Sequence, residues 1–273
     1  MRLACLGSGS GGNSILVESG RTALLIDAGF SGIELQRRLE RLGVEPERIA
    51  AVVVTHEHRD HTGGVGVAAR RWGWPLHLTR ATADACATLL RGEEELILHP
   101  RDAEFSVGQL QVRLVPTCHD AADPVAVHLT CSRSGTTAGV ATDIGRATAA
   151  VRAAFGSCDF LVLESNHDEV RLREAPYPWS VKQRIASSRG HLSNEASADL
   201  VGELYHDGLA GVVLAHLSDS CNVPELAARA VGRALEGKGF RGLLEVADQD
   251  DAGRPVDVER LRQAAAPAQL SLF

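Results

Sequence analysis

The amino-acid sequence reads as an α/β domain rich in short strands. Apolar runs of strand length recur at residues 3–6, 15–18, 23–27, 49–54, 76–79, 96–98, 112–115, 125–130, 136–142, 160–164 and 212–215, bounded by turn-forming residues. Segments with helix-capping chemistry lie between several of them. Several runs also end in histidine or aspartate, so chemistry-bearing side chains collect at strand ends. The 273 residues suit one large domain with a substantial core. The 44% hydrophobic and 23% charged fractions are those of a soluble globular protein.

After the first strand comes Gly7-Ser8-Gly9-Ser10-Gly11-Gly12-Asn13-Ser14. Its N–H groups could approach a phosphate, but it lacks the lysine of a P-loop and opens no helix. It reads either as a flexible hairpin loop or as the rim of a site. Asp27-Ala28-Gly29 ends a strand, and Ser31 with Glu34 forms a capping box for a helix to about Leu42, closed by Gly43 and Pro46. The run 49–54 then delivers Thr55-His56-Glu57-His58-Arg59-Asp60-His61. His56 and His58, two apart in an extended stretch, point the same way, while Asp60 and His61 follow in a tight turn that can face a second ion. So many ligand-type side chains in one loop would be costly to bury without a cation.

Gly63-Gly64 leads into a helix through Trp72, with Arg70 and Arg71 on its solvated face. The strand at 112–115 leads to Pro116-Thr117-Cys118-His119-Asp120, where Cys118 reads as a small buried hydrophobe. A hairpin turning at Ser134-Gly135 ends in Thr142-Asp143-Ile144-Gly145. The strand at 160–164 runs into Ser165-Asn166-His167-Asp168, followed by a proline-stiffened stretch, Pro176-Tyr177-Pro178-Trp179-Ser180-Val181-Lys182-Gln183-Arg184, and by Gly190-His191-Leu192-Ser193-Asn194-Glu195. A helix over 193–205 precedes the strand ending in His216-Leu217-Ser218.

The His-x-His-x-Asp-His run resembles the signature of the metallo-β-lactamase superfamily, whose fold is a four-layer αββα sandwich with a dinuclear metal site at one edge. The resemblance implies a first site of His56, His58 and His119, a second of Asp60, His61 and His216, and Asp143 as the bridge, with Asp27 in support. In the phosphodiesterase branches a Gly-His segment opens a helix, which marks His191 as the catalytic proton donor. Asp60 would both ligate and orient the nucleophile. Two divalent ions are implied, and mixed imidazole and carboxylate ligands accept manganese or zinc. The segments around Glu164, Tyr177 and His191 narrow the resemblance to the YycJ/WalJ-type nucleases over residues 1–246, which implies a 5′→3′ exonuclease of double-stranded DNA in repair or replication. Ser180, Lys182 and Arg184 are candidates for gripping a 5′ phosphate, though a solvated helix face explains the last two equally well. His167 reads as a substrate contact, a support of the site, or a buried hydrogen-bonded histidine.

Residues 247–268 change character, with an acidic Asp248-Gln249-Asp250-Asp251 run, a helix over 256–265 and an Ala/Pro tether. The final Gln269-Leu270-Ser271-Leu272-Phe273 resembles the peptide by which bacterial proteins bind the replication sliding clamp; the alternative is an apolar terminus folded onto the domain. Six cysteines are scattered without framework spacing, no signal or membrane segment is evident, and the protein is expected to be cytoplasmic. A formal charge of -7 argues against a broad basic surface, but bound cations would offset it where a phosphate sits. Three rival readings stand beside the exonuclease. One is a transfer-RNA 3′-processing endonuclease, which generally carries a long arm where this chain has only the hairpin between His119 and Asp143. The others are a small-molecule hydrolase of lactones, thioesters or cyclic phosphates, and a clamp-tethered scaffold with structural metals.

Overall fold

The computed structural model describes residues 1–265. Strands β1 (Arg2–Gly7), β2 (Ser14–Ser19), β3 (Thr22–Ile26), β4 (Ile49–Val53), β5 (Leu76–Thr79) and β6 (Leu96–His99) lie side by side in that order in one sheet. The second sheet holds β7 (Glu104–Val107), β8 (Leu110–Pro116), β9 (Val125–Cys131), β10 (Thr137–Ala141), β11 (Phe160–Glu164), β12 (Gly211–Ala215) and β13 (Leu243–Val246), again in chain order. Each sheet begins with antiparallel hairpins and continues in parallel strands, from β3 to β6 and from β10 to β13.

Parallel strands require crossovers, and here most of those crossovers are helices packed on the outer faces. On the first sheet lie α1 (Gly32–Arg41), α2 (Arg59–Thr62), α3 (Val65–Trp72) and α4 (Arg80–Ala85). The Ser31 side chain caps α1 by accepting from the Glu34 N–H, and Leu35 and Leu39, one turn apart, seat it against Leu25 and Val52. On the second sheet side lie α5 (Ala149–Phe155), α6 (Glu169–Glu174), α7 (Trp179–Ile185), α8 (Asn194–Leu204) and α9 (Pro224–Glu236). Phe155, Val201 and Val231 of this group pack on Leu161, Leu163 and Val212.

Alternation along the strands divides the core. Leu24 and Ile26 face the second sheet while Ala23 and Leu25 face the helices; Phe160 and Val162 face the first sheet while Leu161 and Leu163 face outward. Helix, sheet, sheet and helix therefore form four layers, and central strands are buried on both faces. That is why they read as unbroken apolar runs, with each fully buried Leu or Val contributing roughly 1.5–3 kcal/mol.

The packed chain runs on past residue 246, where a tether was expected to begin. The Ser8 N–H donates to the Asp248 carbonyl at 2.9 Å, and the Gln249 side chain accepts from the Gly11 N–H at 2.6 Å and donates to the Gly12 carbonyl at 3.0 Å. A short strand, β14 (Val256–Asp257), pairs with β1 and covers what would be an open sheet edge. The helix α10 (Val258–Ala265) starts two residues later than expected, because Val256 and Asp257 are used in the sheet and Val258 is buried between the layers. Gln269, Leu270, Leu272 and Phe273 lie outside the described residues.

Candidate metal centre

Strands β3, β4, β10, β11 and β12 bring their carboxyl ends to one edge of the sandwich, the place where open α/β sheets collect ligand-binding residues. Asp27 follows β3, the Thr55–His61 loop follows β4, His119 follows β8, Asp143 follows β10, Glu164 ends β11 and His216 follows β12. Among the described residues the non-glycine positions with left-handed backbone are Asp27 (φ 61°), Asp143 (φ 55°) and His216 (φ 56°). The left-handed region is unfavourable by roughly 1–2 kcal/mol for an L residue and persists where surrounding contacts hold it. All three positions are in this one site.

Candidate ligand atoms of His56, His58 and His119 lie within 4.8 Å of one another, and so do those of Asp60, His61, Asp143 and His216. In the first set, His56 turns Nδ1 to the Thr55 hydroxyl at 3.0 Å and leaves Nε2 buried without a partner. His119 gives Nδ1–H to the Gly190 carbonyl at 2.9 Å, so its Nε2 faces inward, 3.2 Å from His58 Nδ1. In the second set, His61 donates from Nδ1 to Asp27 Oδ2 at 2.7 Å and His216 from Nδ1 to Glu164 Oε1 at 3.0 Å. Their Nε2 atoms turn inward, His61 to Asp143 Oδ2 at 2.8 Å and His216 to Asp60 Oδ2 at 3.1 Å. Asp143 looks both ways: its Oδ1 lies 3.5 Å from His119 Nε2 while its Oδ2 faces His61.

These residues fit a pair of divalent cations. Backing a ligand imidazole through Nδ1–H is how metal-binding histidines are usually oriented. Burial opposes charge on His61 and His216, yet the Asp143 carboxylate, helped by Asp27 for the first and by Asp60 and Glu164 for the second, holds His61 well above the ordinary histidine range and pushes His216 up to about 10. A field of that sign favours positive charge among the rings, whether as protons or as metal ions. His56, by contrast, is driven well below its ordinary range by burial and by its histidine neighbours, which keeps it a neutral donor.

Glu164 has no exposed surface and accepts from the N–H groups of Asp143 at 3.3 Å, Ile144 at 3.0 Å and Leu192 at 3.0 Å, besides His216. It also binds His191 Nδ1 at 2.7 Å, leaving His191 Nε2 with no protein partner among the described residues. Burial pushes the Glu164 carboxyl up, but His191 and these bonds outweigh it and hold the group at about 2. Burial also works against charge on His191, and Glu164 overcomes it, raising the imidazole above its ordinary value.

The Gly/Ser loop is a rim of the site. The Asn13 amide reaches Asp60 Oδ2 at 3.2 Å, and its N–H donates to the Asp60 carbonyl at 2.7 Å. The Ser8 hydroxyl accepts from the His216 N–H at 2.9 Å and donates to Asn13 Oδ1 at 2.8 Å. Gly29 is required by close approach, because a Cβ there would overlap the Asp60 carbonyl oxygen. The roles of Glu164, Asn13, Ser8 and Asn166, whose amide donates to the His216 carbonyl at 2.9 Å, escape a sequence reading. The one available signal was a carboxylate ending an otherwise apolar buried strand, which must find partners.

The phosphate candidates separate. Arg184 lines the metal cleft with Tyr177 and Val181 and sits 3.5 Å from Asp120 Oδ2. Ser180 is exposed on α7 and is not brought to the cleft; Lys182 gives its ammonium to the Arg173 carbonyl at 2.5 Å. Successive helix residues point about 100° apart, so Ser180, Lys182 and Arg184 cannot all share one face. His167 is buried and lines a neighbouring cavity. Cys118 is half-buried, not buried as expected, since β8 ends at Pro116 and its alternation does not extend that far.

Residues 7–133 match the metallo-β-lactamase superfamily domain. Over 245 residues the chain is 33% identical to the exodeoxyribonuclease YycJ of Bacillus anthracis, covering 88% of this chain and 91% of that one. The chain belongs to the metallo-β-lactamase superfamily, in its YycJ/WalJ group. The exodeoxyribonuclease WalJ of Streptococcus pneumoniae strain D39 is 32% identical over 232 residues, 83% of this chain and 85% of that one. The metallo-β-lactamase fold protein YhfI from Bacillus subtilis superimposes with a TM-score of 0.70 at 18% identity, covering 94% of this chain and 99% of YhfI. The four layers are thus the superfamily's layers. The clustered histidines and aspartates form a divalent-metal site of a metallo-β-lactamase-fold hydrolase.

Proposed function

We propose that the protein is a two-metal phosphodiesterase that digests double-stranded DNA from 5′ ends. The observation that carries this reading is Asp143, shared between the two ligand sets, with His191 held beside it on Glu164. When bound, two divalent cations supply a hydroxide at neutral pH and neutralise charge on the phosphoryl oxygens. His56, His58 and His119 would hold one, Asp60, His61 and His216 the other, and Asp143 both. Asp60, fixed by Asn13 and His216, orients the nucleophile as it attacks phosphorus in line. The bond from phosphorus to the 3′ oxygen breaks, and that oxygen takes the proton from His191 Nε2. Glu164 raises the affinity of the imidazole for that proton and aims the ring. Arg184 offers its guanidinium to a phosphate in the cleft.

DNA is favoured by the two relatives named exodeoxyribonucleases, each matched over most of its length. The transfer-RNA reading is disfavoured because only the β9–β10 hairpin joins His119 to Asp143. The C-terminal Gln269-Leu270-Ser271-Leu272-Phe273 adds a sliding clamp as partner, which suits an enzyme of repair or replication in the cytoplasm. No helix among the described residues is long and apolar enough to cross a membrane.

Manganese-dependent digestion of linear duplex DNA labelled at one 5′ or one 3′ end, run beside an Asp143→Ala protein, tests the reading. Early release of 5′-labelled mononucleotide by the unaltered chain alone is the expected result. DNA left intact with either manganese or zinc would refute it. For the clamp, Leu272→Ala with Phe273→Ala should abolish binding to a purified bacterial sliding clamp and leave digestion of free DNA unchanged.

A further inference from the structure

Behind His191 lies a second cavity of about 490 Å3, lined by Gly145, His167, Arg173, Ala186 and Ser193 as well as by His191 itself. His191 also lines the metal cleft, together with Asp60, Asp143 and His216. Its ring is therefore the partition between the two spaces. The volume lies within the roughly 300–1,000 Å3 of small-molecule sites.

We infer that this cavity is the subsite for one nucleotide, the 5′-terminal nucleotide of the substrate strand. The inference rests on the phosphodiesterase reading above. A cut that leaves a 5′ phosphate on the shortened strand makes the 3′ oxygen of the terminal nucleotide the leaving group, and that oxygen takes its proton from His191. The terminal nucleotide therefore sits against His191, while the scissile phosphate sits in the metal cleft. His167, 2% exposed, lies on the wall of this cavity, and its Nδ1 is buried behind that wall with no hydrogen-bond partner. Arg173 brings a guanidinium to the same wall for the terminal phosphate. Glu169, also on that wall and 3.5 Å from the Ser193 hydroxyl, would repel a phosphate and instead accepts from base or sugar donors, which fixes the nucleotide's direction in the cavity. A space of this size admits one nucleotide at a time, so it counts residues from the end and favours stepwise release over internal cutting.

The experiment uses the manganese-loaded full chain and duplexes carrying a fluorescein-thymidine at the 5′-terminal position, at the second position, or nowhere. The bulky base at the terminal position should slow the first release by at least about tenfold, since a displaced scissile bond is reached poorly. The same base at the second position should leave the first release unchanged and stall the second. Ala186→Trp, a change at an exposed position, should slow release from unmodified DNA about tenfold while its metal content and melting temperature match the parent. Equal first-release rates with and without the terminal adduct, or full speed in Ala186→Trp, would overturn the subsite while leaving the exonuclease in place. If no duplex is digested at all, the phosphodiesterase reading falls and takes the subsite with it.

Discussion

Glu164→Gln separates the charge of one buried side chain from its shape. Oε1 of Glu164 serves the Asp143 N–H, His191 and His216, while Oε2 serves the N–H groups of Ile144 and Leu192. A glutamine has one carbonyl oxygen, so one of these two sets meets an amide N–H instead of an acceptor. Keeping the Oε1 set is the lesser loss; it forfeits the Ile144 and Leu192 bonds, at about 1–3 kcal/mol each for a buried donor left unmade. The imidazoles lose a full negative charge 2.7 and 3.0 Å away. His191 then falls back toward an ordinary histidine, because the opposite charge that raises it is gone. The sign follows from the direction of each shift. His191 is raised, so the stability its pair contributes is complete below about pH 6.5 and is lost as pH rises through the raised value. Glu164 is lowered, so its share is present above about 4.5 and disappears as pH falls toward about 2. The pair is intact between those limits. In a pH series of DNA digestion with manganese, Glu164→Gln should lower kcat about 100-fold, the range of a lost general acid. Its alkaline limb should also move to lower pH. A folded, metal-loaded variant with the parent's rate and the parent's alkaline limb would refute the assignment of His191 and of Glu164 together.

Removing metal with a chelator should lower the melting temperature by about 5–10 °C, from the ~2.7 kcal/mol that a ligand at 100 times its Kd contributes; an unchanged melt would argue against a site that binds cations tightly. Asp27→Asn keeps a residue that tolerates left-handed backbone but removes the carboxylate behind His61, so metal affinity should drop roughly 10–100-fold in chelator competition. Gly29→Ala places a methyl against the Asp60 carbonyl and should destabilise by about 2–4 kcal/mol in denaturant melts; a neutral result would mean that the loop shifts freely.

The clustering of candidate ligands was legible because metal chemistry restricts residue types and because four of them share one loop, where spacing alone sets direction. Strand ends were legible too, since double-sided burial makes β12 apolar throughout and β3 and β11 apolar apart from Thr22 and Glu164 at their ends. Contacts across the chain were not. Glu164 reads as the last residue of a strand, and its partners at 143, 191 and 216 are close only after folding. Gln249 sits in an acidic stretch that looks like a linker, and it comes over the Gly/Ser loop because β13 pairs with β12 just ahead of it and the Ser8 N–H bonds the Asp248 carbonyl. Along α7, Ser180 and Arg184 are one turn apart and share a side while Lys182 points away from both, so neighbourhood in sequence alone does not say which of the three meets the cleft.

The candidate ligands are divided between the two sheets. His56, His58, Asp60 and His61 follow β4 in the first, whereas His119, Asp143 and His216 hang from β8, β10 and β12 in the second. Neither half can gather a complete set, and the contacts that join them are far apart in sequence, the kind that form late and slowly. A nascent first half therefore offers passing cations only an open cluster of side chains, and tight capture waits for the sheets to dock. Metal uptake in this architecture is a clock for the last step of assembly, and a coordination spectrum followed during refolding would time the closing of the sandwich directly.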